Sequence, residues 1–401
     1  MTAAPTSNSL LTIDDAAGRH WDVLVIGAGP AGALSAQQAA RAGLQTLLVE
    51  AKPWPRDKVC GCCLNQRAMA VLGQLGLASE LRRCGGVEID EMRLVVGGRS
   101  TRFALPRGLA ISRSMLDAQL VQAAIHAGAK FLPETSAVVE PDIADNWRFV
   151  SIGRSDQSSR IAARVVVAAD GLTRSSLKRM PEFATRAAPD SRVGVGAIVE
   201  HGSLEYPDGQ IVMAVSRSGY VGLTRIEGGR LNIAAALDAN LLQQSPSVGE
   251  AITSILLAAG LPVPANACQA TWRGRPPLTS RPGRVAAERL LVIGDAGGYI
   301  EPFTGEGIAA AFESALAVSP QVTQGCLDWD ASLATTWERE HQLLVHEQQM
   351  ACRVLAWTLR RPWSVSAALG VCRAFPPAAN YLIRRINRPL EPLGRTEIGA
   401  T

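Results

Sequence analysis

The chain has 401 residues, 47% of them hydrophobic and 19% charged, with a formal net charge of +4. That is enough for a large core and too much for one compact unit, so two intertwined domains are expected. The mild charge comes with no nucleic-acid recognition motif, no apolar window is long enough to span a bilayer, and eight cysteines, three of them crowded at Cys60, Cys62 and Cys63, do not form an extracellular disulfide framework.

Met1 to His20 is polar and lacks the basic start and apolar core of a signal peptide. A flexible tail on a cytoplasmic protein is expected there. Trp21 to Glu50 reads as strand, Gly-rich turn, helix and strand. The first strand is the apolar run Val23 to Ile26, the helix runs from Ala31 to Ala42 with Gly43 marking its end, and the second strand is Thr46 to Val49. Asp90 to Leu105 alternates like a strand and stops at Pro106. Ser112 caps a helix running to Ala127, and a short strand follows at Lys130 to Leu132. Ala137 to Ala169 reads as strands and finishes in the apolar run Val165 to Ala169. From Pro181 to Arg284, glycine, proline and alternating β-branched residues suit a mixed sheet over a pocket. Leu290 to Ile293 is a further buried strand, Gly305 to Ala317 a helix behind it, and the remainder is helical with breaks at Pro362 and Pro376-Pro377.

The strongest motif is Gly27-Ala-Gly29-Pro30-Ala31-Gly32, set between a strand and a helix. Gly27 allows the tight turn, Gly29 lets a pyrophosphate approach the backbone, and Gly32 lets helix and strand pack closely. The helix N-terminus offers free N–H groups and a partial positive charge. Glu50 closes the second strand where an acid accepts hydrogen bonds from a ribose. Together these point to a dinucleotide site.

Two distant motifs choose between dinucleotides. Asp170-Gly171 follows the strand ending at Ala169, and Gly294-Asp295-Ala296 follows Leu290 to Ile293. With them the sequence resembles the FAD-binding branch that contains para-hydroxybenzoate hydroxylase, geranylgeranyl reductases and flavin halogenases. The resemblance implies an α/β fold in which an FAD-binding Rossmann-like domain is interleaved with a mixed β-sheet substrate domain, with a helical C-terminus. On that pattern residues 1–20 are the tail, 21–85, 107–180 and 285–330 the FAD-binding domain, 86–106 and 181–284 the substrate domain, and 331–401 the helical C-terminal region. It further implies that Asp295 holds the ribityl chain, that Asp170 lies near the pyrophosphate, and that Arg113 sits over the cofactor. Ala51 and Val138 belong to the same expected cofactor set.

The segment Gly294 to Ile308 looks like the geranylgeranyl-reductase-like subgroup, in which Pro-x-Thr-Gly-Glu-Gly-Ile opens a helix under the isoalloxazine. Unpaired N–H groups around Gly305, Glu306, Gly307 and Ile308 would stabilise the negative charge of reduced flavin, and Thr304 would cap the helix. Arg56-Asp-Lys58-Val-Cys60-Gly61-Cys62-Cys63 resembles the subgroup's Lys-x-Cys-Gly-Gly-Gly segment beside the flavin, but places thiols where two glycines would sit. Lys58, Cys60 and Gly61 are candidate flavin neighbours. The thiols read either as small buried residues packed on the cofactor or as redox groups. Metal binding has no support, because no second ligand cluster accompanies them.

Prenyl reductases of this family carry a Tyr-x-Trp-x-Phe-Pro segment in the substrate domain. Here the matching place reads Tyr220-Val-Gly222-Leu-Thr224-Arg225, keeping only the tyrosine. The Trp-x-Trp-x-Ile-Pro segment of halogenases is absent from the sequence. An NAD(P)H-driven monooxygenase acting on a hydrophobic or aromatic small molecule is therefore the leading expectation, with Lys58, Cys60 and Tyr220 as candidate catalytic residues. A C=C reductase of a lipid or prenyl substrate, an electron-transferring flavoprotein and a halogenase remain as alternatives. No second Gly-x-Gly-x-x-Gly follows a strand, so NAD(P)H is expected to dock transiently.

Between Gln348 and Leu390 lie seven arginines and no acid, interleaved with Trp357, Trp363, Phe375 and Tyr381. Two readings stand: aromatic residues packed on the body with arginines in water, or a peripheral contact with an anionic membrane.

Overall fold

The computed structural model describes residues 11–200, 205–301 and 305–359, with positions 370, 383 and 387. Six of the seven arginines of the C-terminal stretch, all but Arg353, and the breaks expected at Pro362 and Pro376-Pro377 lie outside the described residues, as does Thr304.

Four largely apolar runs set the first sheet. His20–Ile26, Thr46–Val49, Lys130–Leu132 and the end of Gln157–Ala168 pair in parallel, with Val23 opposite both Thr46 and Val165, and Leu290–Val292 joins the far side beside Val166. Strands covered on both faces read as unbroken hydrophobic runs, which is how Val165, Val166 and Val167 come to be 0% exposed. The hairpin Ser136–Ala144 and Trp147–Arg154 extends the sheet antiparallel, through Gln157–Ala168. Helix Pro30–Arg41 packs on this sheet beneath helices Arg113–His126 and Glu306–Leu327. Its alanines make it thin enough for that crowded layer: Ala33, Ala36 and Leu34 are wholly buried.

A second sheet of eight strands stands beside the first. Its centre is an antiparallel run of Val193–Val199, Leu231–Leu237, Gly219–Arg225 and Gln210–Ser216. Val87–Val96 then pairs parallel to Gln210–Ser216 and antiparallel to Arg99–Ala110. The short strand Cys63–Leu64 closes the edge, Cys63 opposite Ala110. The thiol loop is therefore part of this sheet.

Three sequence expectations change. Residues expected to be a flexible tail include helix Ile13–Ala17, held by a capping box between Thr12 and Asp15. Ile13 is 2% exposed, and the Trp21 indole donates to the Ala16 carbonyl at 3.0 Å, so the segment is tied to the core. The strand expected to stop at Pro106 runs on to Ala110. Its register shifts between the pairs Ile89–Gly108 and Glu91–Ala104, so Pro106 sits in an irregularity that asks no ladder bond of it. The helix expected to end at Ala317 continues to Leu327 through an internal Pro320. Val318 and Val322 are buried on either side of that proline, and the packing carries the helix past it.

Candidate functional site

The glycine turn is dictated by sterics. Gly27 has φ 102°, and a Cβ there would lie 2.5 Å from the Ala169 carbonyl oxygen. A Cβ on Gly32 would lie 1.8 Å from the Gly27 oxygen, so only hydrogen fits. Gly29 differs. A Cβ there would meet only the guanidinium tips of Arg113 and Arg56, at 3.6 and 3.7 Å. Gly29 is also the N-cap of helix Pro30–Arg41, and no side chain caps it. An open helix N-terminus with two cations at its mouth is a cradle for phosphate.

Those cations are held by buried acids. Arg113 makes a two-point contact with Asp117, Nε to Oδ1 at 2.9 Å and NH2 to Oδ2 at 2.8 Å. Burial disfavours the charge of Arg113, but Asp117 and Asp295 more than offset it and push its pKa up. Arg56 bridges Asp117 and Glu50, at 3.0 Å to each. Glu50 also accepts from the backbone N–H groups of Ala28 and Lys52, both at 3.1 Å. The acid expected to meet a ribose thus also anchors the turn and Arg56.

The other motifs converge from separate segments on one cavity. Gly29, Lys58, Cys60, Arg113, Gly171 and Asp295 line it on one side, and Pro30, Ala31, Gly61, Gly307 and Ile308 contribute to the same wall. Lys58 reaches across, its Nζ 3.1 Å from where a Gly171 Cβ would be. Asp170 meets Gly27 through its Cα and turns its carboxylate away, accepting from the Ser176 backbone N–H at 2.8 Å. Burial raises the pKa of Asp170. The Gly294 N–H donates to Ser314 Oγ at 3.0 Å, fixing the turn that carries Asp295.

Gly305 is the N-cap of helix Glu306–Leu327, at φ 74° and without a side-chain cap. A Cβ on Gly305 would lie 3.3 Å from the Cys63 carbonyl oxygen, so the helix start is set directly against the thiol strand. Gly307 and Ile308 face the main cavity, whereas Glu306 faces a smaller one behind it with His341. Eight expected cofactor residues do not line the main cavity: Gly27, Gly32, Glu50, Asp170 and Gly294, which build or anchor the turns beside it, and Ala51, Val138 and Glu306. Ala51 is exposed beside Glu50, Val138 lies in the hairpin opposite Ser151, and Glu306 points to the rear.

For two of the three thiols the surroundings favour the protonated form. The pKa of Cys62 rises well above the ordinary thiol value, through its hydrogen bond with Cys60 and through burial. Burial pushes Cys63 up to about 12, partly offset by a contact with Thr224. Protonated thiols are poor nucleophiles and poor metal ligands. Among the described residues no cluster of histidine, cysteine and acid side chains is placed to hold a metal.

The far wall belongs to the second sheet. Tyr220, Gly222 and Thr224 alternate along one strand and all face the cavity, with Met213, Met92 and Leu278 around them. Ile383 and Asn387, four residues apart, also line it. Sequence reasoning did not single out Arg56, Asp117 or Met213 as site residues. Arg56 lies in the quoted thiol-loop motif, but its two acid partners come from other elements.

This is a site for a pyrophosphate-bearing dinucleotide facing an apolar chamber, the arrangement of a flavoenzyme. Residues 20–208 match the family model described as FAD binding domain. The chain is 28% identical over 352 residues to a menaquinone reductase of Mycolicibacterium smegmatis, covering 80% of each chain. It is 24% identical over 317 residues to digeranylgeranylglycerophospholipid reductase 3 of Methanosphaera stadtmanae, covering 74% of this chain and 76% of that one. Its fold is similar to that of the flavin-dependent brominase Bmp2, with a TM-score of 0.75 at 16% identity over 92% of this chain and 94% of that one. P. aeruginosa PqsL, solved with 2-aminobenzoylacetate, has a TM-score of 0.69 at 18% identity, over 88% of this chain and 100% of that one. The chain is an FAD-dependent enzyme that carries an FAD binding domain, and its similarities are to reductases and flavin enzymes of the para-hydroxybenzoate hydroxylase and geranylgeranyl reductase-like kind. FAD is its cofactor, NAD(P)H is the electron donor typical of the family, and its substrate is a small molecule. Among the described residues no helix is long and apolar enough to cross a membrane.

Proposed function

We propose that the chain is an NAD(P)H-driven flavin monooxygenase that hydroxylates a hydrophobic or aromatic small molecule. Bound FAD would supply the two electrons of the reaction. Gly29, Arg56 and Arg113 would take its pyrophosphate, Asp295 its ribityl chain, and the N–H groups at Gly305 and Gly307 the ring edge that turns negative on reduction. Lys58 and Cys60, which line the same cavity, would neighbour the ring. The protein's remaining task is to hold a substrate against that ring and keep water out.

One observation carries the choice of hydroxylation. The strand positions at which prenyl reductases are expected to place two aromatic rings are Gly222 and Thr224 here, and both face the cavity. The Met213 thioether occupies the space over Gly222, its Sδ 2.9 Å from where a Cβ would stand. A wall remodelled in this way supports a substrate shaped differently from a polyprenyl chain.

The second reading is reduction of a C=C bond in a lipid, favoured by the names of the relatives, menaquinone reductase and digeranylgeranylglycerophospholipid reductase. Product mass separates the two. Turnover with NAD(P)H under labelled oxygen should yield product carrying one labelled oxygen atom. Product gaining two hydrogens, formed equally well without oxygen, would refute hydroxylation in favour of reduction.

Ile383 and Asn387, which line the cavity, fall within the arginine-rich segment of the sequence. That placement supports a peripheral contact with an anionic membrane, from which an apolar substrate would enter.

A further inference from the structure

The strand register lays one row of residues across the far wall. Leu94, Met213, Gly222, Ala234 and Gly196 are direct partners on successive strands, and partners on paired strands point to the same side. Large side chains begin the row and small ones finish it. Met213 has leucine on one hand and glycine on the other, so its long arm finds room over Gly222. Its Sδ and Cε lie 2.9 and 3.7 Å from where a Gly222 Cβ would stand. Beyond it Ala234 adds only a methyl, and Gly222 and Ala234 together give the cavity a flat floor. Tyr220 and Thr224, two residues to either side of Gly222 on its strand, border that floor.

Two other glycines of this sheet are covered as well, but differently. Val59 approaches the Cβ position of Gly196 through its Cγ1 at 3.2 Å and its own Cα at 3.7 Å. Leu278 approaches that of Gly194 through Cδ2, Cγ and Cδ1 at 2.9, 3.4 and 3.5 Å. Those covers are backed by main chain or by a branched side chain. Met213, 5% exposed and lining the cavity, meets its glycine only with the tip of an unbranched arm. A thioether of that kind adapts its shape to what it touches.

We propose that Met213 is a specificity-determining residue of the cavity, a movable plug over Gly222 that admits a flat, compact ring system and turns away an extended isoprenoid chain. A ring can lie on the floor of Gly222 and Ala234 with the thioether at its edge, a contact that sulfur makes favourably with aromatic groups. A chain would have to run along the row, and the arm lies across that path. The inference rests on the cavity being the substrate site of the proposed monooxygenase, and it commits that site to one substrate shape.

The test is equilibrium binding to the oxidised holoprotein, read from perturbation of the flavin spectrum, with 2-naphthol as the compact probe and farnesol as the chain. Wild type should favour 2-naphthol. Met213→Ala should shift the ratio of affinities towards farnesol by about tenfold or more, which is what two further buried methylene groups contribute. Gly222→Ala puts a methyl into the same notch and should weaken 2-naphthol by driving the arm over the floor. In the double variant the methyl takes the place the arm has left, and the ratio should return towards that of wild type. Met213→Leu keeps the volume and should keep the preference. A ratio unchanged in Met213→Ala at full FAD content, strictly additive effects of the two substitutions, or a wild type that prefers farnesol would each overturn the proposal alone. No spectral response to either probe would overturn it together with the cavity's role as the substrate site. None of these readings depends on turnover, so hydroxylation and shape selection fail independently.

Discussion

Gly29 and Gly32 allow cofactor binding to be separated from folding by the same chemical change. In Gly29→Ala the new methyl meets only two guanidinium tips at 3.6 and 3.7 Å, which is ordinary contact, and the residue's φ of −79° suits alanine. The apoprotein should therefore melt within about 1 °C of wild type, as expected for a substitution without strain. The methyl does take the space a phosphate would fill. A ligand held at about 100 times its Kd adds about 2.7 kcal/mol to stability. With an unfolding entropy of ~2.1 cal/mol/K per residue, a chain of 401 residues shifts by roughly 1 °C per kcal/mol, so the FAD-dependent rise of about 3 °C should vanish. In Gly32→Ala the methyl would lie 1.8 Å from the Gly27 oxygen. Overpacking of about 1–3 kcal/mol should then lower the melting point of the apoprotein itself. Differential scanning fluorimetry of both variants, with and without added FAD, reads both effects. Wild-type FAD affinity in Gly29→Ala would refute the assignment of that turn to the pyrophosphate.

Cys62→Ala and Cys63→Ala should each leave FAD content and turnover largely intact, and wild-type Cys62 and Cys63 should alkylate slowly at neutral pH, because burial keeps both thiols protonated. A tenfold loss in flavin reduction at unchanged FAD content would assign them chemistry instead. His341, whose pKa burial and the nearby Arg174 lower to about 4, is neutral in the folded state. The unfolded chain takes up its proton first, so this contribution is complete above about pH 6.5 and is lost as pH falls towards 4, by up to about 3 kcal/mol. Melting points measured across that range should fall less steeply for His341→Leu, and an unchanged slope would count against the assignment. Replacing Arg360, Arg361, Arg384 and Arg385 with glutamine should abolish salt-sensitive cosedimentation with anionic liposomes, each exposed arginine contributing about 1 kcal/mol at such a surface. Equal amounts of wild type and variant left in the supernatant at low salt would limit the stretch to a packing role.

What the sequence made legible follows from how local the physics is. Gly27 and Gly32 could be read directly because sterics within one turn admit nothing else. The strand Val165 to Ala168 was legible because burial on both faces leaves an unbroken apolar run. Helix Ile13–Ala17 was hidden in a polar segment, its only local sign the Thr12 and Asp15 capping pair. Pro106 stopped the expected strand because a register shift depends on the partner strand, which one segment cannot disclose. The same limit applied to the site. Gly222 was found through its motif, but Met213 comes over it only when the two strands pair. Arg56 looked like part of a loop until Glu50 and Asp117 came to either side of it.

The order of strands in the first sheet also bears on how the molecule is made. The glycine turn leaves the ribosome early, but its flanking strand ends at Ala168, and that strand's outer neighbour begins at Leu290. The aspartate at 295 follows later still. At synthesis rates of 5–20 residues per second, a nascent chain holds an unfinished phosphate cradle for roughly ten to fifty seconds. Contacts so distant along the chain are slow to form. FAD therefore meets a completed socket only after the segment carrying Asp295 has been made.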